Sequence, residues 1–474
     1  MATGRATHGP EIAVVPTPGL GNNAYLVGLA ERAVVIDAPR DGWRVTEVAH
    51  AHGWRVTHAI ETHVHNDYLS GALELRRANG AAIVVPAGGR YRFAHVAADD
   101  GYSLDLQGAG LVARATPGHT LEHIAWELQD GGGRSLALFS GGSLLIGGVG
   151  RTDLLGPSRT AELTAAQFET MQRLAELHDE VVVYPTHGAG SFCVAGDSDG
   201  PSSASIGALK RWNPAFAASD LETFDRELAA GRTRYPAYYR RMAPLNRRGP
   251  QLLGEPTTPH PLTTHEFSAA RDAGVWLIDV RDRWAFAERH VKGSWNIELG
   301  DSMSAYAGWL LPFDAPICLV VDDPIQEVEA ADELLRIGYD HVIGHLHGGL
   351  DDWVAAGGDT STYGTAGWQE LRAYAAGEGG DAAHILDVRQ PYEWRDGAIP
   401  RSRRVFVADL PDVLHGLDRG TTWLVACRTG VRAAIAASML DAAGIPARPV
   451  VDGGVPALPP GELEPAGSES AALA

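Results

Sequence analysis

The stretch VWLIDVRDRWAFAERHVKGSWNIEL, residues 275–299, is read a second time as HILDVRQPYEWRDGAIPRSRRVFVADL, residues 384–410. Each gives an apolar strand, an Asp-Val-Arg tripeptide, a helix with aromatic residues, then a turn and another strand. Each copy continues into a further strand and helix, PICLVVDDPIQEVEAADELLRIGY and TWLVACRTGVRAAIAASMLDAAGI, and closes on a Gly-Gly turn in HGGLDDW and DGGVPAL. Strands alternating with helices at this spacing predict two parallel α/β domains of about 100 residues each.

Upstream of the repeat, QLLGEPTTPHP has the Pro-rich composition of a linker. Before it, short apolar strands such as IAVVP, AYLVGL and AVVIDAP are punctuated by Gly, Asn and Pro, and helical text such as TEVAHAHGW and TAAQFETMQRLAELHD intervenes. That mixture predicts layered α and β packing. The expected division is residues 10–250, 260–358 and 364–460, with a disordered tail over 461–474.

Composition agrees with several cores in one chain. The 474 residues are 45% hydrophobic and 21% charged, enough apolar side chain to offset chain entropy. Acidic residues outnumber basic ones 59 to 39, for a net charge of -20. Such a surface repels phosphate backbones and anionic headgroups, so neither nucleic acid nor membrane is an expected partner. Cys193, Cys318 and Cys427 are odd in number and far apart, which is no disulfide framework. With no secretion signal in the N-terminal text and no apolar run near the roughly 20 residues of a spanning helix, a cytoplasmic location is expected.

Two motifs carry chemistry. In THVHNDY, His63 and His65 lie two apart, so an extended backbone sends both imidazoles to one side, and Asp67 follows after two more residues. His119 in TPGHT and His187 in YPTHG each end a strand where a tight turn can aim a ring back at that pair. Neutral imidazoles from separate loops suit zinc or iron. His58 and His123 are read as structural. In the second motif, CRTGVR, an apolar strand ends at Cys427 and a helix follows Arg432. The loop sets the thiol among backbone N–H groups at a helix N-terminus, where the dipole and Arg428 or Arg432 favour thiolate and so a nucleophile.

Over residues 10–245 the chain resembles the metallo-β-lactamase fold superfamily, an αββα sandwich. The His-x-His-x-Asp-His signature is answered by His63, His65, Asp67 and Tyr68, with His119 and His187 at the later metal positions. Tyr68 replaces the last signature histidine, and Gly142 in SGGSLLIGG stands where relatives carry an aspartate. These departures disfavour the dinuclear hydrolytic zinc pair of the glyoxalase II type. The branch most resembled is the persulfide dioxygenases, which hold one ferrous iron with two histidines and an aspartate; His63 and His119 match the histidines. Three repairs of the missing carboxylate are open: a three-histidine face of His63, His65 and His119, which is preferred; Asp67 or Asp153 swinging in; or loss of the metal. Fe(II), one per chain, is the expected cofactor, with zinc or none as alternatives.

The second copy resembles the rhodanese sulfurtransferases, whose six-residue loop begins with a cysteine that carries a persulfide. Its Cys-x4-Arg spacing is one residue shorter than the loop of cysteine phosphatases. Asp387 and Arg389 are read as a structural ion pair. In the first copy the nucleophile position falls at Val321 or Asp322, Cys318 lies upstream inside the strand, and Asp322, Asp323 and Pro324 disrupt the loop. That copy is expected to be silent, a spacer or docking surface. The order of the three domains resembles persulfide dioxygenase and sulfurtransferase fusions, which implies a low-molecular-weight thiol persulfide, O2 and sulfite as partners. A thioester hydrolase, and a sulfurtransferase on a metal-free scaffold, remain as alternatives; a homo-oligomer also stays open.

Overall fold

The strands Glu11–Thr17, Asn22–Leu29 and Arg32–Ile36 pair antiparallel through the Gly-containing turn between Thr17 and Asn22 and the Ala30–Glu31 turn between Leu29 and Arg32, where Ala30 has a φ of 54°. Arg55–Ile60, Ala82–Pro86 and Val96–Ala98 then add in parallel, completing a six-stranded sheet. The computed structural model describes residues 9–188, 191–195, 201–254, 258–379 and 383–464. A second six-stranded sheet runs Ala204–Ser205, Val182–Pro185, Ser135–Gly141, Ile124–Asp130, Ala109–Ala115, Ser103–Asp105. Tyr25, Val27, Ile36 and Ile60 of the first sheet meet Leu111, Trp126, Leu128 and Phe139 of the second in one buried core. The helices Gly42–Ala51 and Ala72–Asn79 cover the outer face of one sheet through Val45, Ala49 and Leu75. The helix Pro157–Leu174 covers the other through Met171 and Leu174. The layering is therefore the expected αββα sandwich.

The chain forms two compact units, Met1–Thr257 with Leu335–Gly338, and Thr258–Leu334 with Tyr339–Ala474. In the second unit the repeat becomes two five-stranded parallel sheets of the same strand order. One runs Pro261–Leu262, Val342–Leu346, Ile317–Val320, Trp276–Asp279, Trp295–Asn296; the other runs Ala366–Gly367, Ala447–Asp452, Thr422–Ala426, Ala383–Asp387, Ser402–Arg404. In each copy the Asp-Val-Arg tripeptide closes on itself: Arg281 pairs with Asp279 at 2.8 Å and Arg389 with Asp387 at 2.7 Å, all buried.

The tail departs from expectation. Pro460–Glu462 is a 3-10 turn, Glu464 exchanges backbone hydrogen bonds with Ala398, and Leu463 packs against the second copy's core. Apolar contact and a strand-like bridge hold residues 461–464, while residues 465–474 lie outside the described residues, as do 255–257 of the linker. No described helix is long and apolar enough to cross a membrane.

Candidate metal centre and thiol loop

His63 and His65 follow the strand Arg55–Ile60, His119 follows Ala109–Ala115, and His187 follows Val182–Pro185, so strand ends deliver all four rings. The ring centroids of His63, His119 and His187 form a near-equilateral triangle with sides of 5.0, 5.3 and 5.4 Å. Each Nδ1 has a partner that places its proton. His119 Nδ1 donates to the Arg151 carbonyl at 2.8 Å. Thr62 Oγ1 donates to Asp37 Oδ2 at 2.7 Å, which leaves its lone pair to accept from His63 Nδ1 at 2.8 Å. Asn22 donates through Nδ2 to Asp67 Oδ2 at 2.6 Å and accepts from His187 Nδ1 at 3.0 Å. With the proton on Nδ1, each Nε2 presents a lone pair, and all three Nε2 atoms are buried without a hydrogen-bond partner. One donor atom from each lies within 4.8 Å of the others.

Buried, unpartnered acceptors are costly unless something binds them. Burial, then neighbouring imidazoles, drive His63 well below the usual histidine range and His119 down to about 3. Both rings are therefore neutral at physiological pH, the form a divalent transition metal accepts. This donor set fits one such ion.

The expected face is His63, His65 and His119; the convergent triangle holds His187 instead, while His65 has a donor atom within 4.8 Å of others from His63 and Asp37. His65 Nε2 lies 2.7 Å from Glu61 and 3.3 Å from Asp37, and the Tyr68 hydroxyl is 3.1 Å away. Burial pushes this ring down, but the two carboxylates overcome it and hold His65 up to about 10. The two carboxylates favour its protonated form, in which the unpartnered Nδ1 would ligate only by releasing a proton. Tyr68, stacked on His65 with centroids 4.3 Å apart, donates its hydroxyl to the Asp37 carbonyl at 3.0 Å.

Asp67 stays beside the cluster, 3.3 Å from His187 Nδ1, with Oδ1 unpartnered. Asp153 does not swing in; Arg151 takes both its oxygens at 2.7 Å. Gly142 has no room for a side chain, because a Cβ there would lie 2.8 Å from His119 Nε2, and one on Gly150 would lie 2.7 Å from His119 Nδ1. His123 is structural: Nδ1 meets Thr116 Oγ1 at 2.8 Å and Nε2 accepts from the Gly142 N–H at 3.0 Å. His58 is half-buried on its strand, with Thr57 Oγ1 at 3.0 Å. Reading the sequence missed Asp37, Glu61 and Asn22, although a charged residue closing the apolar run AVVIDAP was a signal for the first. It also missed Cys193, buried with a donor atom within 4.8 Å of Asp67 and His187.

In the second unit, the strand Thr422–Ala426 ends at Cys427 and the helix Val431–Ala442 begins four residues later. Sγ accepts from the Gly430 N–H at 3.1 Å. The closing Gly-Gly turn seats the loop, since Val455 N–H donates to the Cys427 carbonyl at 2.9 Å and a Cβ on Gly454 would strike Arg428 backbone. Arg428 is exposed at the rim. Arg432 lies within electrostatic reach of Cys427, but its guanidinium is closed by Glu393, with Nη2–Oε1 at 2.8 Å and a second bond from Nη1 to Oε2. It ties the helix Val431–Ala442, whose second residue it is, to the short helix Pro391–Arg395.

The first copy's ladder sets Asp279 opposite Val320, as the second sets Asp387 opposite Ala426. The residue matching Cys427 is therefore Val321, and Cys318 is a buried strand residue facing Leu277. Asp323 Oδ1 accepts the N–H groups of Ile325 and Gln326 at 2.8 and 3.0 Å.

The metallo-beta-lactamase superfamily matches residues 17–187, and the rhodanese-like domain matches twice, over 263–356 and 369–458. A metallo-beta-lactamase structure from Staphylococcus aureus subsp. aureus COL is 27% identical, covering 71% of this chain and 99% of its own, with a TM-score of 0.64. ETHE1 from Myxococcus xanthus is 27% identical over 52% of this chain and 100% of its own, with a TM-score of 0.44. A hydroxyacylglutathione hydrolase from Methylococcus capsulatus is 36% identical over 146 residues, 30% of this chain and 52% of its own. The chain spans about half the length of the curated relatives it matches. It carries a metallo-β-lactamase-fold domain followed by two rhodanese-like domains.

Proposed function

We propose that the chain is a persulfide dioxygenase and sulfurtransferase. The observation that carries this reading is the set of three Nδ1-anchored imidazoles whose Nε2 atoms converge unpartnered, in one chain with a thiol seated at a helix N-terminus. His63, His119 and His187 would hold one Fe(II), which when bound supplies redox chemistry toward O2. The net reaction is thiol persulfide, O2 and water giving thiol, sulfite and two protons. The chain's own contribution is a buried donor set, oriented by Thr62, Arg151 and Asn22.

At the second site the Cys427 thiolate attacks the outer sulfur of a persulfide, releasing thiol and forming Cys–S–S⁻, and sulfite then removes that sulfur as thiosulfate. A tether between the two activities raises the local concentration of a shared intermediate. Three unpaired, buried cysteines suit a reducing cytoplasm.

Identity to hydroxyacylglutathione hydrolases favours a thioester hydrolase as the second reading. Against it stand Tyr68, spent on His65, and Gly142, which offers no carboxylate. The test is anaerobic iron loading followed by a thiol persulfide. Stoichiometric oxygen uptake with sulfite release is expected; thioester turnover with zinc and no oxygen uptake would establish the hydrolase, and protein that takes up neither metal would leave a scaffold.

A further inference from the structure

The silent copy reaches into the loop of the other. Arg283 Nη1 donates to the Thr429 carbonyl at 2.9 Å, while Nε is anchored on Glu298 at 2.7 Å. That carbonyl and the Gly430 N–H belong to one trans peptide unit, so they point in opposite directions. Holding the oxygen outward aims the hydrogen inward at Cys427 Sγ, where the N–H is found at 3.1 Å. A guanidinium on the oxygen also polarises the peptide and strengthens its N–H as a donor.

Two features mark Arg283 as more than part of the shared frame. Counting from the paired Asp279 and Asp387, it stands where the other copy has Pro391. Its guanidinium also comes so close that a Cβ on Gly430 would lie 2.9 Å from Nη1, at a residue whose φ of +93° already favours glycine. Around this contact the two copies are joined by Asn296 N–H to Ser438 Oγ at 2.9 Å and by Trp309 edge-on to Phe406 at 5.1 Å. Tyr306 of the silent copy, buried on the helix Met303–Leu310, lies within electrostatic reach of Cys427 and Arg432.

Resting on the sulfurtransferase reading, we propose that Arg283 is a positioning residue for Cys427, acting through the Thr429–Gly430 peptide to stabilise anionic sulfur at that site. The silent copy thus supplies part of the working site.

The experiment follows alkylation of Cys427 by iodoacetamide against pH in the full chain, by peptide mass spectrometry, alongside thiosulfate-to-cyanide transfer. Arg283→Ala is expected to move the alkylation midpoint upward by about one pH unit and to slow transfer about tenfold. Added guanidinium is expected to restore both, and Arg283→Lys to fall between. An unmoved alkylation profile overturns the proposal, as does a loss that guanidinium leaves unrepaired with a lowered melting temperature. Alkylation reads the thiol itself: if the parent transfers no sulfur, the sulfurtransferase reading falls while the alkylation comparison still decides the role of Arg283.

Discussion

The imidazole of His119 fills the space that a side chain on Gly142 would need, with Nε2 2.8 Å from where its Cβ would lie. The place of a carboxylate side chain is thus taken by the His119 ring. Gly142→Asp is expected to displace His119 rather than to supply a ligand. Metal analysis should show reduced binding, and thermal unfolding a loss of about 1–3 kcal/mol from overpacking.

His187 and His65 should separate ligation from folding. His187→Ala removes one converging Nε2 and is expected to lower metal stoichiometry more than stability. His65→Ala strips the cation from between Glu61 and Asp37, and breaking a buried ion pair costs about 3–5 kcal/mol. Denaturant titration beside metal analysis checks both; a stable His65→Ala that has lost its metal would reverse the assignment of the two rings.

Arg432 and Glu393 give a pH signature. Burial pushes Glu393 up, and the Arg432 guanidinium overrides it, holding this carboxyl below its ordinary value. A depressed folded value contributes stability that is complete above the ordinary glutamate range near about 4.3 and is lost as pH falls through the lowered one. Arg432→Met leaves Glu393 buried and unpaired, so it is expected to lose about 3–5 kcal/mol at neutral pH. That deficit should narrow as the medium is acidified and Glu393 protonates, which urea titrations at stepped pH will read.

Cys427→Ala is expected to abolish thiosulfate-to-cyanide transfer, whereas Cys318→Ala should transfer at the parent rate after losing some core stability. Cys318 is fully buried in its strand, and burial holds its thiol up to about 11. Equal transfer by the two variants would defeat the assignment of Cys427.

Much of this was legible in the residues. Short apolar strands punctuated by Gly, Asn and Pro sufficed for layered α and β packing, because both sheets are buried on each other and under helices, and the resemblance supplied the sandwich. The Asp-Val-Arg repeat sufficed for two matching sheets. Spacing alone could not rank His65 against His187: His63 and His65 share a side of the chain, but what separates their roles is Asp37 and Glu61, whose approach to His65 is a tertiary fact. Asp153 is the opposite case, since the cation that captured it lies only two residues away in the chain. The choice between Val321 and Asp322 needed strand register, which counting from distant glycines leaves uncertain by one residue.

Asp323 has a further consequence. Its carboxylate caps the helix Pro324–Arg336 by accepting the Ile325 and Gln326 N–H groups, while Pro324, which stands where the other copy has Gly430, has no N–H to offer a sulfur. Installing a thiol at Val321 would give a nucleophile without the N–H that Cys427 accepts from Gly430; reviving that copy would require replacing the proline as well.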